Sequence, residues 1–298
     1  MTFDHLTPFQ LEKTDVIGRI VRLGNDSLDP ILSAHNYPAP VARLLAEAVC
    51  LCSLLGSLLK YEGIFTLQIK GDGPVTSIVS DMTTAGHLRG FAGYSKDLTN
   101  ELPEDADLNA LLGDGRLAFT VDQGADSDLY QGIVELTGND LSDAVRHYFK
   151  QSQQVNTGLK ITVDESQDGA WQAGGIMVQS APPKEARNDN FDPDAWRRAM
   201  VLMTSVTPGE LLDPDLTTDT LLYRLFHEDG VRRFDDRKLS AECRCSVKRA
   251  EHIIRSMNPN SLDEYIEDDE LYFDCEFCGE RYTFNQEEID ALTGVKSR

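Results

Sequence analysis

The sequence predicts an α+β chain: an N-terminal mixed α+β domain, a helical linker, and a small C-terminal domain organised by cysteines. Three observations predict it. Over roughly the first 180 residues, strand-like runs follow one another with few helices between them, which argues for segregated strands and helices rather than repeating βαβ units. A polar, proline-marked break at Ala181-Pro182-Pro183-Lys184 ends that pattern. Beyond it, apolar helical faces with little core of their own lead into a tail that carries four of the six cysteines. The predicted parts are residues 1–183, 184–238 and 239–298.

The elements follow in order. Val16–Leu23 reads as a strand ended by Gly24-Asn25. Pro38–Lys60 reads as a helix, with prolines where the first turn has no backbone donor to lose. Ile64–Ile69, Val75–Ser80 and His87–Gly93 read as strands, punctuated by Gly71-Asp72-Gly73-Pro74 and Thr83–Gly86. Arg116–Val121 and Tyr130–Glu135 continue the strands, Leu141–Ser152 is helical, and Leu159–Val163 and Ala170–Val178 return to strand. In the linker, polar stretches such as Asn188-Asp189-Asn190 surround two helical candidates. One presents Trp196, Met200, Val201 and Met203, the other Leu221, Leu222, Leu225 and Phe226. Such faces must lean on another surface to stay folded.

Composition bounds the function. The chain has 298 residues, 28 Lys+Arg against 50 Asp+Glu, and a formal net charge of −22. A polyanion is repelled by phosphate backbones and anionic lipid heads, so neither nucleic acid nor membrane is expected as a partner. Val41–Leu59 is apolar enough to suggest a membrane span, but Arg43 and Glu47 interrupt it and make a buried soluble helix the expectation. Met1-Thr2-Phe3-Asp4-His5 has neither the basic nor the apolar region of a secretory signal, so the expected compartment is the reducing cytoplasm. No phosphate loop, G-x-S-x-G elbow or H-E-x-x-H helix is present, and the six histidines show no ligand spacing; His252 reads as an exposed helix position.

The cysteines carry the chemistry. Cys50 and Cys52 lie two apart in the apolar helix, on nearly opposite faces, and read as small buried hydrophobes. Cys243 and Cys245 form a C-x-C; after 29 residues, Cys275 and Cys278 form a C-x-x-C followed by Gly279. Four thiols in two close pairs are the donor set of a tetrahedral zinc site, so Cys243, Cys245, Cys275 and Cys278 are the candidate ligands of one Zn2+. Four protein ligands leave no open position, so the metal is structural or its thiolates are meant to be oxidised. Arg244, Lys248 and Arg249 flank the first pair and favour thiolate, whereas Asp274, Glu276 and Glu280 flank the second and are expected to oppose it without metal. From Ser261 the tail holds 12 acids against 3 bases and is too short for a large core, so zinc is expected to supply much of its folding energy. Other readings remain: a structural-zinc docking module, a disulfide framework, or a dithiol oxidoreductase. Against the last, acids surround the C-x-x-C, and the strand-like Arg281–Phe284 follows it where a helix is wanted.

The tail Cys243-Arg244-Cys245-Ser246, Cys275-Glu276-Phe277-Cys278 and Tyr282-Thr283-Phe284 resembles the redox-regulated 33-kDa heat-shock chaperones. So do Val21-Arg22-Leu23-Gly24, Leu88-Arg89-Gly90, Tyr130-Gln131-Gly132-Ile133-Val134, Ala173-Gly174-Gly175-Ile176 and Leu222-Tyr223-Arg224-Leu225-Phe226. The resemblance implies an ATP-independent holdase, not an enzyme. Its first domain would bind clients and dimerise, its linker would be metastable, and its tail would be a redox switch. It implies zinc held by the four cysteines in the reduced form. In the oxidised form it implies disulfides Cys243–Cys245 and Cys275–Cys278, zinc release, linker unfolding, and binding of unfolding proteins, often as a dimer. One departure is Gln153, where the family commonly has Glu.

Overall fold

The computed structural model describes residues 3–58, 62–99, 102–103, 105–123, 130–166, 169–180, 194–257, 266–267 and 270–293. The chain divides into two compact units, Met1–Ala241 and Glu242–Arg298. The first unit opens with β1 (His5–Leu11), β2 (Val16–Leu23), α1 (Asp29–Ser33) and α2 (Ala39–Gly56). It continues with β3 (Ile64–Gly71), β4 (Val75–Thr83), β5 (His87–Tyr94), α3 (Lys96–Thr99), α4 (Leu108–Leu112), β6 (Gly115–Asp122) and β7 (Tyr130–Glu135). Then come α5 (Leu141–Tyr148), a π-helical turn over Phe149–Gln153, β8 (Thr157–Glu165) and β9 (Trp171–Ser180). It closes with α6 (Ala195–Ser205), α7 (Pro208–Leu212), α8 (Thr218–Phe226), β10 (Val231–Arg233), β11 (Arg237–Lys238) and β12 (Ser240–Ala241).

Two sheets and one buried helix organise this unit. The first sheet runs β10-β1-β2-β9-β8, with β11 also on β1; the second runs β12-β5-β4-β3-β6-β7. Helix α2 lies in the core they share: Leu45, Val49, Leu51 and Leu54 are fully buried together with Val21 and Leu23 from one sheet and Leu67 and Ile78 from the other. Among the described residues it is the one helix long and apolar enough to cross a membrane, and 83% of it is buried inside the protein. Its cysteines point to opposite sheets. A β-carbon at Gly175 of β9 would sit 2.9 Å from Cys50 Sγ, whereas the Cys52 thiol donates to the Ser80 carbonyl of β4 at 3.3 Å. Burial pushes the Cys52 thiol up to about 12 and the Cys50 thiol higher still, so both are inert hydrophobes at neutral pH.

The first sheet is buried on both faces. Leu6, Val21, Ala173 and Met177 face α2, while Phe9, Leu11, Ile20, Ile176 and Val178 carry a second core completed by α6–α8. That is why Ala173–Gln179 of β9 is buried without interruption instead of alternating. The linker faces lean as expected on another surface: Met203, Leu221, Leu222 and Phe226 are fully buried there, and Phe226 stacks on Phe9 with centroids 5.6 Å apart. Val201 departs from the expected face and is 62% exposed. Thr207 and Glu210 close a capping box on α7, and Thr217 caps α8.

The predicted strands match within two residues except β4, which runs three residues past Ser80 to Thr83; the helix expected over Pro38–Lys60 ends at Gly56; β1, the short helices and the edge strands are not predicted. Strand β1 carries Pro8 at its centre, so local pattern alone does not mark it. The predicted helix over Leu141–Ser152 changes to a π turn after Tyr148, with Gln154 at φ 52° closing it. Gln153 donates from its amide to the Tyr148 hydroxyl at 3.1 Å. The break at Ala181–Lys184, the Asn188–Asn190 stretch and Lys60 lie outside the described residues.

Candidate metal centre

The second unit is small. Helix α9 (Val247–Ser256), β13 (Ile266–Glu267), β14 (Glu270–Asp274), β15 (Arg281–Asn285) and α10 (Gln286–Thr293) surround a core of Ala250, Ile254, Leu271, Phe284 and Ile289. Strands β13-β14-β15 form a three-stranded antiparallel sheet. Among the described residues, this five-residue cluster supplies far less apolar burial than the first unit's cores.

The four predicted cysteines meet here. Cys275 and Cys278 lie on the β14–β15 turn. Gly279 N–H donates to the Cys275 carbonyl at 2.8 Å, and the Cys275 N–H to the Glu280 carbonyl at 2.9 Å. Gly279 sits at φ 72°, a left-handed conformation that a side chain would strain. Cys243 and Cys245 precede α9, whose first turn is capped by the Ser246 hydroxyl accepting from Arg249 N–H. The four Sγ atoms all lie within 4.8 Å of one another. Two of the contacts pair a sulfur of one motif with one of the other, at 3.7 Å for Cys243–Cys275 and 3.4 Å for Cys245–Cys278. A tetrahedral zinc with Zn–S bonds near 2.3 Å holds its sulfurs about 3.8 Å apart, so the donor set fits a metal ion. Cys275 is buried and the other three are half-buried.

The electrostatics differ in cause from the expectation. The Cys278 thiol is pushed up first by burial and then by its three sulfur neighbours, while the Glu280 backbone N–H pulls the other way. The flanking carboxylates are not what raises it, and Asp274 is held low by Arg281, which grips both its oxygens at 2.6 Å. A divalent cation held here would displace the thiol protons, and its charge would offset the repulsion among four thiolates. Sequence reasoning missed one contact: the Tyr282 hydroxyl donates to Cys245 Sγ at 3.1 Å. Its signal was the alternation of β15, which places Tyr282 and Phe284 on one face. His252 is exposed, as expected.

Comparison with known proteins agrees with this architecture. The family model described as Hsp33 protein matches residues 4–285. A 33 kDa chaperonin of Caulobacter vibrioides (strain NA1000 / CB15N) is 40% identical over 286 residues, covering 94% of each chain. A 33 kDa chaperonin of Pseudomonas fluorescens (strain SBW25) is 34% identical over 291 residues, covering 97% of this chain and 93% of the relative. These relatives are named as chaperonins, not as enzymes. In fold, the chain is similar to the crystal structure of the 33 kDa chaperonin (heat shock protein 33 homolog) of Thermotoga maritima, with a TM-score of 0.81, 21% identity and 98% of both chains covered. With a two-sheet unit, a separate four-cysteine unit and a family match running from residue 4 to residue 285, the chain belongs to the Hsp33 family of heat-shock chaperones.

Proposed function

We propose that this protein is a redox-regulated, ATP-independent holdase of the cytoplasm that binds unfolding proteins when its cysteines are oxidised. The observation that carries the reading is a four-sulfur cluster in a unit with almost no core of its own. Cys243, Cys245, Cys275 and Cys278 would hold one Zn2+ in the reduced form; when bound, the metal keeps four thiolates together and anchors both ends of the unit. Peroxide takes two electrons and two protons from each thiol pair and leaves as two waters, and one S–S bond forms per pair. Pairing within motifs, Cys243–Cys245 and Cys275–Cys278, is what the family resemblance implies.

The chain is read in three functional parts: 1–183 as the client-binding and dimerising domain, 184–238 as the linker, and 239–298 as the switch. Through α6–α8 the linker covers the Phe9, Ile20, Ile176 and Val178 face of the first sheet. Uncovering that face gives unfolding clients an apolar surface, and the −22 charge opposes self-association of the opened form. The oxidised form is proposed to work as a homodimer, without nucleic acid or membrane.

The test is light scattering from a heat-unfolding client enzyme, with this protein either zinc-loaded and reduced or treated with peroxide at elevated temperature. Suppression by the oxidised form alone is the expected result. Suppression by both forms would leave a holdase with structural zinc, and suppression by neither would leave a zinc-dependent docking module.

A further inference from the structure

The Val21-Arg22-Leu23-Gly24 motif has no role in the metal centre, yet Arg22 is among the most buried charged side chains of the molecule, 3% exposed. It lies on β2, on the sheet face shared with Val16 and Ile20 beneath α6–α8. Its Nη1 donates to the backbone carbonyls of Asp213 at 3.2 Å and Leu216 at 2.6 Å, and its Nη2 to that of Glu210 at 3.0 Å. All three acceptors fall within seven residues that end α7 and lead into α8. They are carbonyls that a five-residue helix and the loop after it cannot satisfy internally. Among the described residues no carboxylate forms an ion pair with Arg22. The Phe3 ring lies 5.6 Å from its guanidinium carbon, and the Glu210 carboxylate is engaged by Thr207 and Arg224.

We infer that Arg22 is a positioning residue of the switch: it pins Glu210–Leu216 onto the first sheet and sets how readily α7 and α8 leave it. The inference rests on the holdase reading for its consequence, but its geometry stands apart from it. A buried cation whose two terminal nitrogens are held by backbone carbonyls, with its Nε left without a hydrogen-bond partner, is least costly in two situations. Either all three carbonyls are in place, or the stretch is gone and water reaches the guanidinium. A half-detached stretch leaves both the cation and the carbonyls unpaired, which is the costly state. Arg22 therefore makes detachment all-or-none rather than gradual. Lys160 offers the contrast. Its Nζ bonds the Thr204 and Val206 carbonyls at the end of α6, but it is only half-buried, so water can replace it there.

The test uses the full chain, zinc-loaded and reduced, with Arg22→Met, Arg22→Lys and Lys160→Met. Amide hydrogen exchange across residues 207–226 should quicken about 100-fold in Arg22→Met, with Arg22→Lys intermediate and Lys160→Met within a few-fold of wild type. Exchange in β3 and β6, and bound zinc, should be unchanged, and the reduced Arg22→Met protein should suppress client aggregation without oxidant. Unchanged exchange in 207–226, or exchange that quickens equally in β3 and β6, overturns the inference; if Arg22→Met does not fold, the Arg22→Lys exchange decides by the same criterion. Local quickening with no suppression by either Arg22→Met or oxidised wild type upholds the pin while the holdase reading fails. Local quickening with suppression by oxidised wild type alone overturns the gating role.

Discussion

Glu47 sits on α2 where Asp140, the cap of α5, is close enough to raise its pKa, and it accepts a hydrogen bond from the Leu141 backbone. Burial first, and Asp140 second, raise its pKa from 4.5 to about 7, against the opposing pull of the Leu141 N–H. The folded state thus binds this proton more tightly than the unfolded chain does. Below pH 4.5 the carboxyl is neutral in both states and costs nothing. Stability then falls as pH rises through the window from 4.5 to about 7, and above it the full penalty remains, about 3 kcal/mol from the size of the gap. Glu47→Gln keeps an oxygen for Leu141 and carries no charge. It should stabilise the protein by about 3 kcal/mol at pH 8 and by about 1 kcal/mol at pH 5. Urea unfolding followed by tryptophan emission reads this cleanly, because both tryptophans, Trp171 and Trp196, belong to the first unit. An equal gain at the two pH values would mean that packing or helix propensity, not a buried charge, sets the effect, and a loss at pH 8 would refute the reasoning outright.

Further expectations follow from particular contacts. Phe226→Ala removes the ring stacked on Phe9 and should loosen α8 by about 3–5 kcal/mol, seen as faster proteolysis within 207–230 of the reduced protein; unchanged cleavage would show that the stack holds little. Tyr282→Phe keeps the packing but deletes the donor to Cys245, so zinc affinity measured by chelator competition should fall about 10-fold, and an unchanged affinity would assign the hydroxyl no role. Stripping the metal under reducing conditions should bring amides of 270–293 to near-random exchange while β3–β6 stay protected; a protected second unit in chelator would show that its five-residue core suffices. In the metal-free, reduced protein, the four thiols of the melted second unit should alkylate readily at pH 8, while Cys50 and Cys52, buried in the intact first unit, should not, so a count of six would contradict their burial.

Much of the candidate site was legible because its signal is local. The C-x-C and C-x-x-C spacings state a donor set, and Gly279 after the second pair states a turn; both survive in the structure as four sulfurs within 4.8 Å and a φ of 72°. The cause of the thiol shift was not legible. Nearby acids in sequence suggested electrostatic opposition, whereas the fold pairs Asp274 with Arg281 and raises Cys278 mainly by burial. Tyr282 was legible only as one more residue of a strand, because a hydroxyl's reach to a sulfur 37 residues away is a tertiary fact.

The same division holds for the fold. By itself the sequence determined the strands with clear alternation, the apolar helix α2, the separate cysteine-bearing tail and the dependence of the linker faces on some other surface, since periodicity, turn residues and charge act over a few residues. Only the tertiary structure decided that this surface is the outer face of the first sheet, that β10 and β11 pair with β1 at that sheet's edge while β12 joins the second sheet, and that Arg22 is spent on three carbonyls 188–194 residues away. Those outcomes turn on which faces meet and which buried polar groups are left needing a partner, and that is fixed by long-range packing rather than by any neighbour in the chain.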